Sequence, residues 1–284
     1  MTPWDDRTCE LGEGPLWHPL RGQLFWFDIL GRRLLSRSNG YPEEWRLPEM
    51  ASAAGWVDES TLLIATETRL ATFEIDTGRT RDVVGLEGGG ARTRSNDGRA
   101  DPWGGFWVGT MGKEAEAGAG AIYRYHGRAL RRIRGGVTIP NSICFDRDRA
   151  RAYWCDTTEG RIMMQAVDED GWPAAEPETF VDLREENLNP DGSVVDANGW
   201  LWNAQWGAGR VAAYDARGRL QRAVPVPAPH ASCPAFGGDD LTTLFCTTAR
   251  EHMTEATLME HPHSGGTYAI PGVAKGLPEP RVIL

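Results

Sequence analysis

The chain has 284 residues, 40% hydrophobic and 25% charged, the balance of a globular protein. Lys and Arg total 30 against 40 Asp and Glu, a formal charge of −10. That balance speaks against nucleic acid, whose phosphates need a basic footprint, and against a polybasic membrane anchor. No apolar run approaches the ~20 residues of a membrane helix, so no membrane partner is expected.

Residues 1–6 (MTPWDD) are acidic and show no signal peptide. The five cysteines, Cys9, Cys144, Cys155, Cys233 and Cys246, form no CxxC pair, and three of them sit in apolar or alternating runs. They read as buried small hydrophobes in a reducing cytoplasm. Twelve tryptophans, 34 glycines and 18 prolines mark a chain rich in turns and aromatics.

Along the chain a pattern returns six times. It begins at Glu13, Ala53, Asn96, Asn141, Asp191 and Cys233, at intervals of 40, 43, 45, 50 and 42 residues. Each start is followed by small and apolar residues. Asp58, Asp101, Asp146 and Asp196 lie five positions after four of the starts and open turns. A second run follows each turn: 23–29 (QLFWFDI), 61–67 (TLLIATE), 105–111 (GFWVGTM), 151–157 (RAYWCDT), 200–206 (WLWNAQW) and 243–249 (TLFCTTA). These are aromatic and β-branched, and of strand length. Third runs are clearest at 120–125, 160–167, 209–215 and 266–270, and weaker fourth runs lie at 179–183 and 220–226.

Four strands per unit, six units and a period of ~40–45 residues describe an all-β, six-bladed β-propeller with four antiparallel strands per blade. The whole chain, 1–284, is expected to be one domain. Either the strand-like end 280–284 (PRVIL) or the segment around Cys9–Leu11 closes the ring.

In a propeller the entry to each innermost strand and the exit from each second strand meet at one mouth. Position one of the six repeats therefore forms a ring, in which Glu13, Asn96, Asn141 and Asp191 carry side-chain oxygens. The exits add Asp28, Glu67, 110–114, Asp156, Gln205 and Arg250. Two carboxylates and two carboxamides around one axis suit a hard divalent cation better than structural zinc.

No GxSxG elbow, Walker loop or HExxH is present. The pair His261 and His263, flanked by Pro262 and Gly265-Gly266, reads as an exposed loop. Trp103, Trp107, Tyr153, Trp154 and Trp202 read as blade packing. Trp206, at an exit, either walls the mouth as a sugar-stacking face or packs between blades.

The motifs Leu11-Gly12-Glu13-Gly14-Pro15-Leu16-Trp17, Arg94-Ser95-Asn96-Asp97-Gly98-Arg99-Ala100-Asp101-Pro102, Trp107-Val108-Gly109-Thr110-Met111, Ile139-Pro140-Asn141-Ser142 and Asn189-Pro190-Asp191-Gly192 resemble the SMP-30/gluconolactonase (regucalcin-like) family over essentially the full length. The resemblance implies one divalent cation held by Glu13, Asn141 and Asp191. Calcium is the first choice, with zinc, manganese, magnesium or iron(II) as alternatives. It implies substrate contacts from Arg94, Asn96 and Glu114, although Lys113 stands where the family often has an acidic or small residue.

The expected activity is opening of a sugar lactone, a glucono-, xylono-, galactono- or arabinonolactone, with Asp191 as ligand and general base or as ligand alone. An organophosphate-hydrolysing propeller and a non-enzymatic calcium- or sugar-binding propeller are the alternatives. The expected partner is a small molecule, and the expected state a monomer or weak homo-oligomer.

Overall fold

The structure, a computed structural model, describes residues 2–87 and 92–284. Its strands form six antiparallel sheets in chain order. Blade one holds β1 (Gly12–His18), β2 (Gln23–Asp28), β3 (Arg33–Ser38) and β4 (Tyr41–Arg46). Blade two holds β5 (Ala51–Trp56), β6 (Thr61–Thr66), β7 (Arg69–Glu74) and β8 (Thr80–Gly85). Blade three holds β9 (Thr93–Ala100), β10 (Phe106–Gly112), β11 (Gly120–His126) and β12 (Ala129–Val137). Blade four holds β13 (Pro140–Asp146), β14 (Arg151–Asp156), β15 (Arg161–Ala166) and β16 (Glu178–Asp182). Blade five holds β17 (Asn189–Val195), β18 (Leu201–Trp206), β19 (Arg210–Tyr214) and β20 (Leu220–Pro225). Blade six holds β21 (Ala231–Gly237), β22 (Thr243–Thr248) and the short β23 (Tyr268–Ile270). The expected six-bladed propeller is thus found.

Blade six has three strands of its own, and the N-terminal segment takes the fourth, outer place. Trp4 and Asp5 donate backbone N–H to the Thr267 carbonyl at 2.8 and 3.1 Å, and Thr267 N–H returns to the Asp5 carbonyl at 2.9 Å. The connection from β22 to β23 is long and carries a one-and-a-half-turn helix, α1 (Glu255–Glu260). The C-terminal run is no strand. It crosses the far end of the channel, where Val282 N–H bonds the Trp56 carbonyl and Ile283 N–H the Gly104 carbonyl. Of the two expected ways to close the ring, the N-terminal one is realised, but through Trp4 and Asp5 and not through the expected Cys9–Leu11.

Side chains alternate across a strand, so a strand buried on both faces feeds two interfaces. In β2, Phe25 and Phe27 join a hydrophobic cluster shared with blade two, while Leu24 and Trp26 join one shared with blade six. In β10, Phe106 and Val108 face blade two and Trp107 faces blade four. Six such clusters sit between neighbouring blades around the ring. The tryptophans expected to pack blades do so: Trp107 and Trp202 are fully buried, and Trp154 nearly so. All five cysteines are buried and free.

The turn aspartates behave as expected. The Asp101, Asp146 and Asp196 carboxylates accept backbone N–H groups of their own turns, from Gly105, Arg149 and Trp200 respectively. Among the described residues no helix is long and apolar enough to cross a membrane.

Candidate functional site

Every innermost strand carries a β-bulge near its start. Register against the second strand breaks between Glu13 and Leu16, Ala51 and Ala53, Ser95 and Gly98, Asn141 and Cys144, Pro190 and Ser193, and Ala231 and Pro234. A bulge re-aims side chains that a regular pleat would send into the interfaces. Gly14 shows the constraint: it has φ +54°, and a Cβ there would meet the Ser52 carbonyl oxygen at 2.1 Å.

The re-aimed side chains line a cavity of about 440 Å³ at one mouth of the channel. Glu13, Arg94, Asn96, Asn141, Glu114 and Asp191, all expected at the site, border it together. The first four and Asp191 are buried, whereas Glu114 is exposed on the turn after β10. Ala53 and Cys233, the other ring positions, are buried and do not border the cavity.

Hydrogen bonds join the floor into one network. Arg94 donates through Nη1 to Asn96 Oδ1 at 2.8 Å. Asn96 donates through Nδ2 to Asn141 Oδ1 at 3.1 Å and to the Pro140 carbonyl at 3.0 Å. Asn141 donates through Nδ2 to Thr157 Oγ1 at 2.9 Å, and Thr157 donates to the Pro190 carbonyl at 2.8 Å. The backbone of Asp191 is pinned by Ser142 Oγ at 2.6 Å and by Asn203 Nδ2 at 2.9 Å, both on its carbonyl.

The electrostatics of this floor are those of a buried acid cluster. Burial, then the neighbouring Asp97, pushes the Glu13 carboxyl up to about 8. Burial, then Glu13 and Asp97, holds Asp191 well above the usual carboxylate range. Burial raises Asp97, just beneath, to about 6 although the Ile143 and Gly98 N–H groups donate to it. Burial also lowers the pKa of Arg94.

Among the described residues neither Glu13 nor Asp191 forms a salt bridge. Two desolvated carboxylates and a carboxamide oxygen make a hard donor set, and a divalent cation fits it. The set holds one amide, and among the described residues no three His, Cys, Asp or Glu side chains gather to hold a metal.

Several exits expected at the mouth do other work. Asp28 accepts the Leu11 and Gly31 N–H groups and pairs with Arg33 at 2.7 Å. Asp156 accepts the Thr138 and Ile139 N–H groups, Gln205 bonds Tyr214 and Arg210, and Arg250 bonds the Ser264 carbonyl. Of the expected exits, Met111, Lys113 and Glu114 do border the cavity, as does Trp206, and Leu30, Thr157 and Glu251 join them from beyond the strand ends. Lys113 pairs with Glu67 of blade two, which offsets its charge. Trp206 stacks on His230 with ring centroids 4.2 Å apart, so it both walls the mouth and packs against a neighbour. His261 and His263 lie away from the cavity, on the loop that follows α1.

Thr157 and Glu251 were not expected. A faint signal exists in the repeat, since Thr157 lies one residue and Glu251 three residues past the end of a second strand.

A larger cavity, about 680 Å³, opens at the far mouth beneath the C-terminal segment. Inside it Arg99 pairs with Glu279, exposed Arg149 pairs with Asp146, and buried Asp196 is held by the N–H groups of its own turn and by Trp202 Nε1.

Comparison with known proteins agrees with the architecture. A solved structure of a calcium-binding protein, regucalcin, from Agrobacterium tumefaciens matches with a TM-score of 0.97 at 37% identity, covering 100% of this chain and 97% of that one. A relative in Rhizobium meliloti, provisionally named a sugar lactone lactonase, is 37% identical over 291 residues, 99% of this chain and 98% of its own. An L-arabinolactonase of Azospirillum brasilense is 34% identical over 270 residues, 93% of this chain and 89% of its own. A family model described as the SMP-30/Gluconolactonase/LRE-like region matches residues 11–250, and the chain belongs to that family.

Proposed function

We propose that this protein is a divalent-cation-dependent hydrolase that opens a sugar lactone to the sugar acid. The observation that carries the reading is the cavity floor. There Glu13 and Asp191, buried and without a salt-bridge partner among the described residues, share one pocket with the Arg94–Asn96–Asn141 hydrogen-bond chain. Relatives named as lactonases support the substrate class.

Glu13, Asn141 and Asp191 would hold the cation through oxygen, calcium first by donor type, with magnesium, manganese, zinc or iron(II) as alternatives. When bound, such a cation supplies a Lewis acid for an ester carbonyl and lowers the pKa of water. Arg94 places a guanidinium where charge develops on the carbonyl oxygen. Asn96 offers one side of its amide to substrate hydroxyls while the rest of it stays in the floor network. Glu114, exposed at the rim, accepts hydrogen bonds from hydroxyls farther from the reacting carbon.

Asp191 takes the proton of the attacking water. The water oxygen bonds to the carbonyl carbon, the ring C–O bond breaks, and Asp191 passes the proton it took to the ring oxygen, which leaves as a hydroxyl. One water is added and no redox partner is required. The substrate enters as a free small molecule, and the chain acts as a monomer or weak homo-oligomer in the cytoplasm.

The test is a panel of pentono- and hexonolactones followed with a pH indicator after EDTA treatment and after return of each ion. Acid release that EDTA abolishes and one of the ions restores is the expected result. Cation or sugar-acid binding with no acid release would replace the reading by a binding propeller. Turnover confined to phosphotriesters would replace it by an organophosphate hydrolase.

A further inference from the structure

Thr157 follows β14 and opens a single 3-10 turn, Thr157–Glu159. Its N–H is bonded to the Ile139 carbonyl at 2.9 Å, two residues before Asn141. Asp156, the residue before it, ties the same entry through the Thr138 and Ile139 N–H groups. The Thr157 backbone is therefore fixed to the entry of blade four.

Its hydroxyl makes two bonds of opposite sense. The Pro190 carbonyl, 2.8 Å away, can only accept, so the hydroxyl proton is committed there. What remains on Oγ1 is acceptor capacity, and Asn141 Nδ2 fills it at 2.9 Å. That choice fixes which end of the Asn141 amide is nitrogen, an assignment that otherwise rests on the network alone. Asn141 Oδ1 must then face inward, where one lone pair takes Asn96 Nδ2 at 3.1 Å and the other remains for the cavity.

The two bonds also span a blade boundary. Asn141 belongs to blade four, and Pro190 immediately precedes Asp191 in blade five. One hydroxyl thus links the side chain of one proposed ligand to the backbone that carries another.

We infer that Thr157 is a positioning residue: it orients the Asn141 amide oxygen and sets its spacing from Asp191. The inference rests on the reading of Asn141 and Asp191 as cation ligands. Partners that orient a ligand are typically worth roughly 10–100-fold in metal affinity.

The test is calorimetric titration of calcium and of manganese, each alone, into EDTA-treated wild type, Asn141→Ala, Thr157→Val and Thr157→Ser, well below the unfolding temperature. Thr157→Val keeps the shape and removes both bonds, and affinity is expected to fall roughly 10–100-fold. Thr157→Ser keeps the hydroxyl and is expected to bind like the wild type. A purely structural threonine would lower the melting temperature without this serine-rescued loss of affinity. Thr157→Ala stands in if the valine variant does not fold.

If Asn141→Ala loses binding while Thr157→Val keeps wild-type affinity, the inference fails and the ligand reading stands. If Thr157→Ser binds as weakly as Thr157→Val, the hydroxyl is not the cause and the inference fails. If Asn141→Ala binds like the wild type, or the wild type binds neither ion nor, titrated in turn, magnesium, zinc or iron(II), the ligand reading fails and the inference with it.

Discussion

Asp191 stands where function and stability pull apart. Burial and the nearby Glu13 and Asp97 disfavour its charged form and hold its pKa well above the usual carboxylate range. Replacing it with asparagine removes a like-charge conflict and keeps the shape. Asp191→Asn is therefore expected to raise the melting temperature of the EDTA-treated chain at pH 8, and to lower kcat by about 10²–10⁴-fold, the usual worth of a general base. Thermal unfolding and the lactone assay on the same preparation check both halves. An unchanged kcat would remove Asp191 from the chemistry, and a lower melting temperature would contradict the conflict. The ring residues were legible because a repeat makes position one equivalent in every blade. Thr157 and Glu251 were not, because they sit beyond the strands, where exit length differs from blade to blade. Asp28 and Asp156 misled for a related reason: a carboxylate at a strand end is within reach of the N–H groups entering its own blade, and it is consumed there.

At the scale of elements, the two inner strands of each blade were readable because both of their faces are buried, which turns the alternating signature into short continuous apolar runs bounded by turns, whereas the exposed outer strands were weaker. The bulges were not readable, since an added residue changes register without changing composition. Nor was the fate of the C-terminus, whose run 280–284 has the composition of a strand. Its role is set by partners distant in sequence. Val282 is fully buried in the cluster between blades two and three, and Trp56 Nε1 bonds the Glu279 carbonyl at 2.7 Å. Glu279 pairs with Arg99, whose other contact is the Pro234 carbonyl at 3.2 Å. Both side chains are at least nine-tenths buried. Breaking a buried pair leaves an uncompensated charge and costs about 3–5 kcal/mol. Glu279→Ala should therefore lower the stability measured by urea unfolding by about that much, without changing the m-value. A midpoint equal to that of the wild type would mean that water reaches Arg99 and the segment is no seal.

For the whole molecule, six blades give a ring whose two chain ends do different work: the N-terminal segment completes blade six and the C-terminal segment crosses the far mouth. The open mouth gathers acid from three blades, Glu13 from blade one, Asp97 from blade three and Asp191 from blade five. Part of the −10 charge is thus focused at one point, which couples the stability of the ring to pH and to cations. Glu13, at about 8, and Asp97, at about 6, have folded pKa values above their ordinary ones, so between about pH 4.5 and 8 the folded chain binds more protons than the unfolded chain. Their contribution to stability therefore falls as pH rises through that window. His18 and His230 act in the opposite sense, because burial lowers their pKa values and their penalty is felt below about pH 6.5. Exposed Asp182 and its like, held low by arginine, change only in more acidic solution. The histidine contribution is common to the chain with and without cation and cancels in the difference between them. A cation must displace the protons that Glu13 and Asp191 retain, so its affinity rises with pH, and so does the stabilisation it confers. The melting temperature gained on adding calcium to the EDTA-treated chain is expected to be small at pH 5 and to grow steadily to pH 8. Asp191→Asn should flatten that rise, because one of the two acids that must release a proton is gone. A gain independent of pH across this range would mean that the cation binds away from these carboxylates.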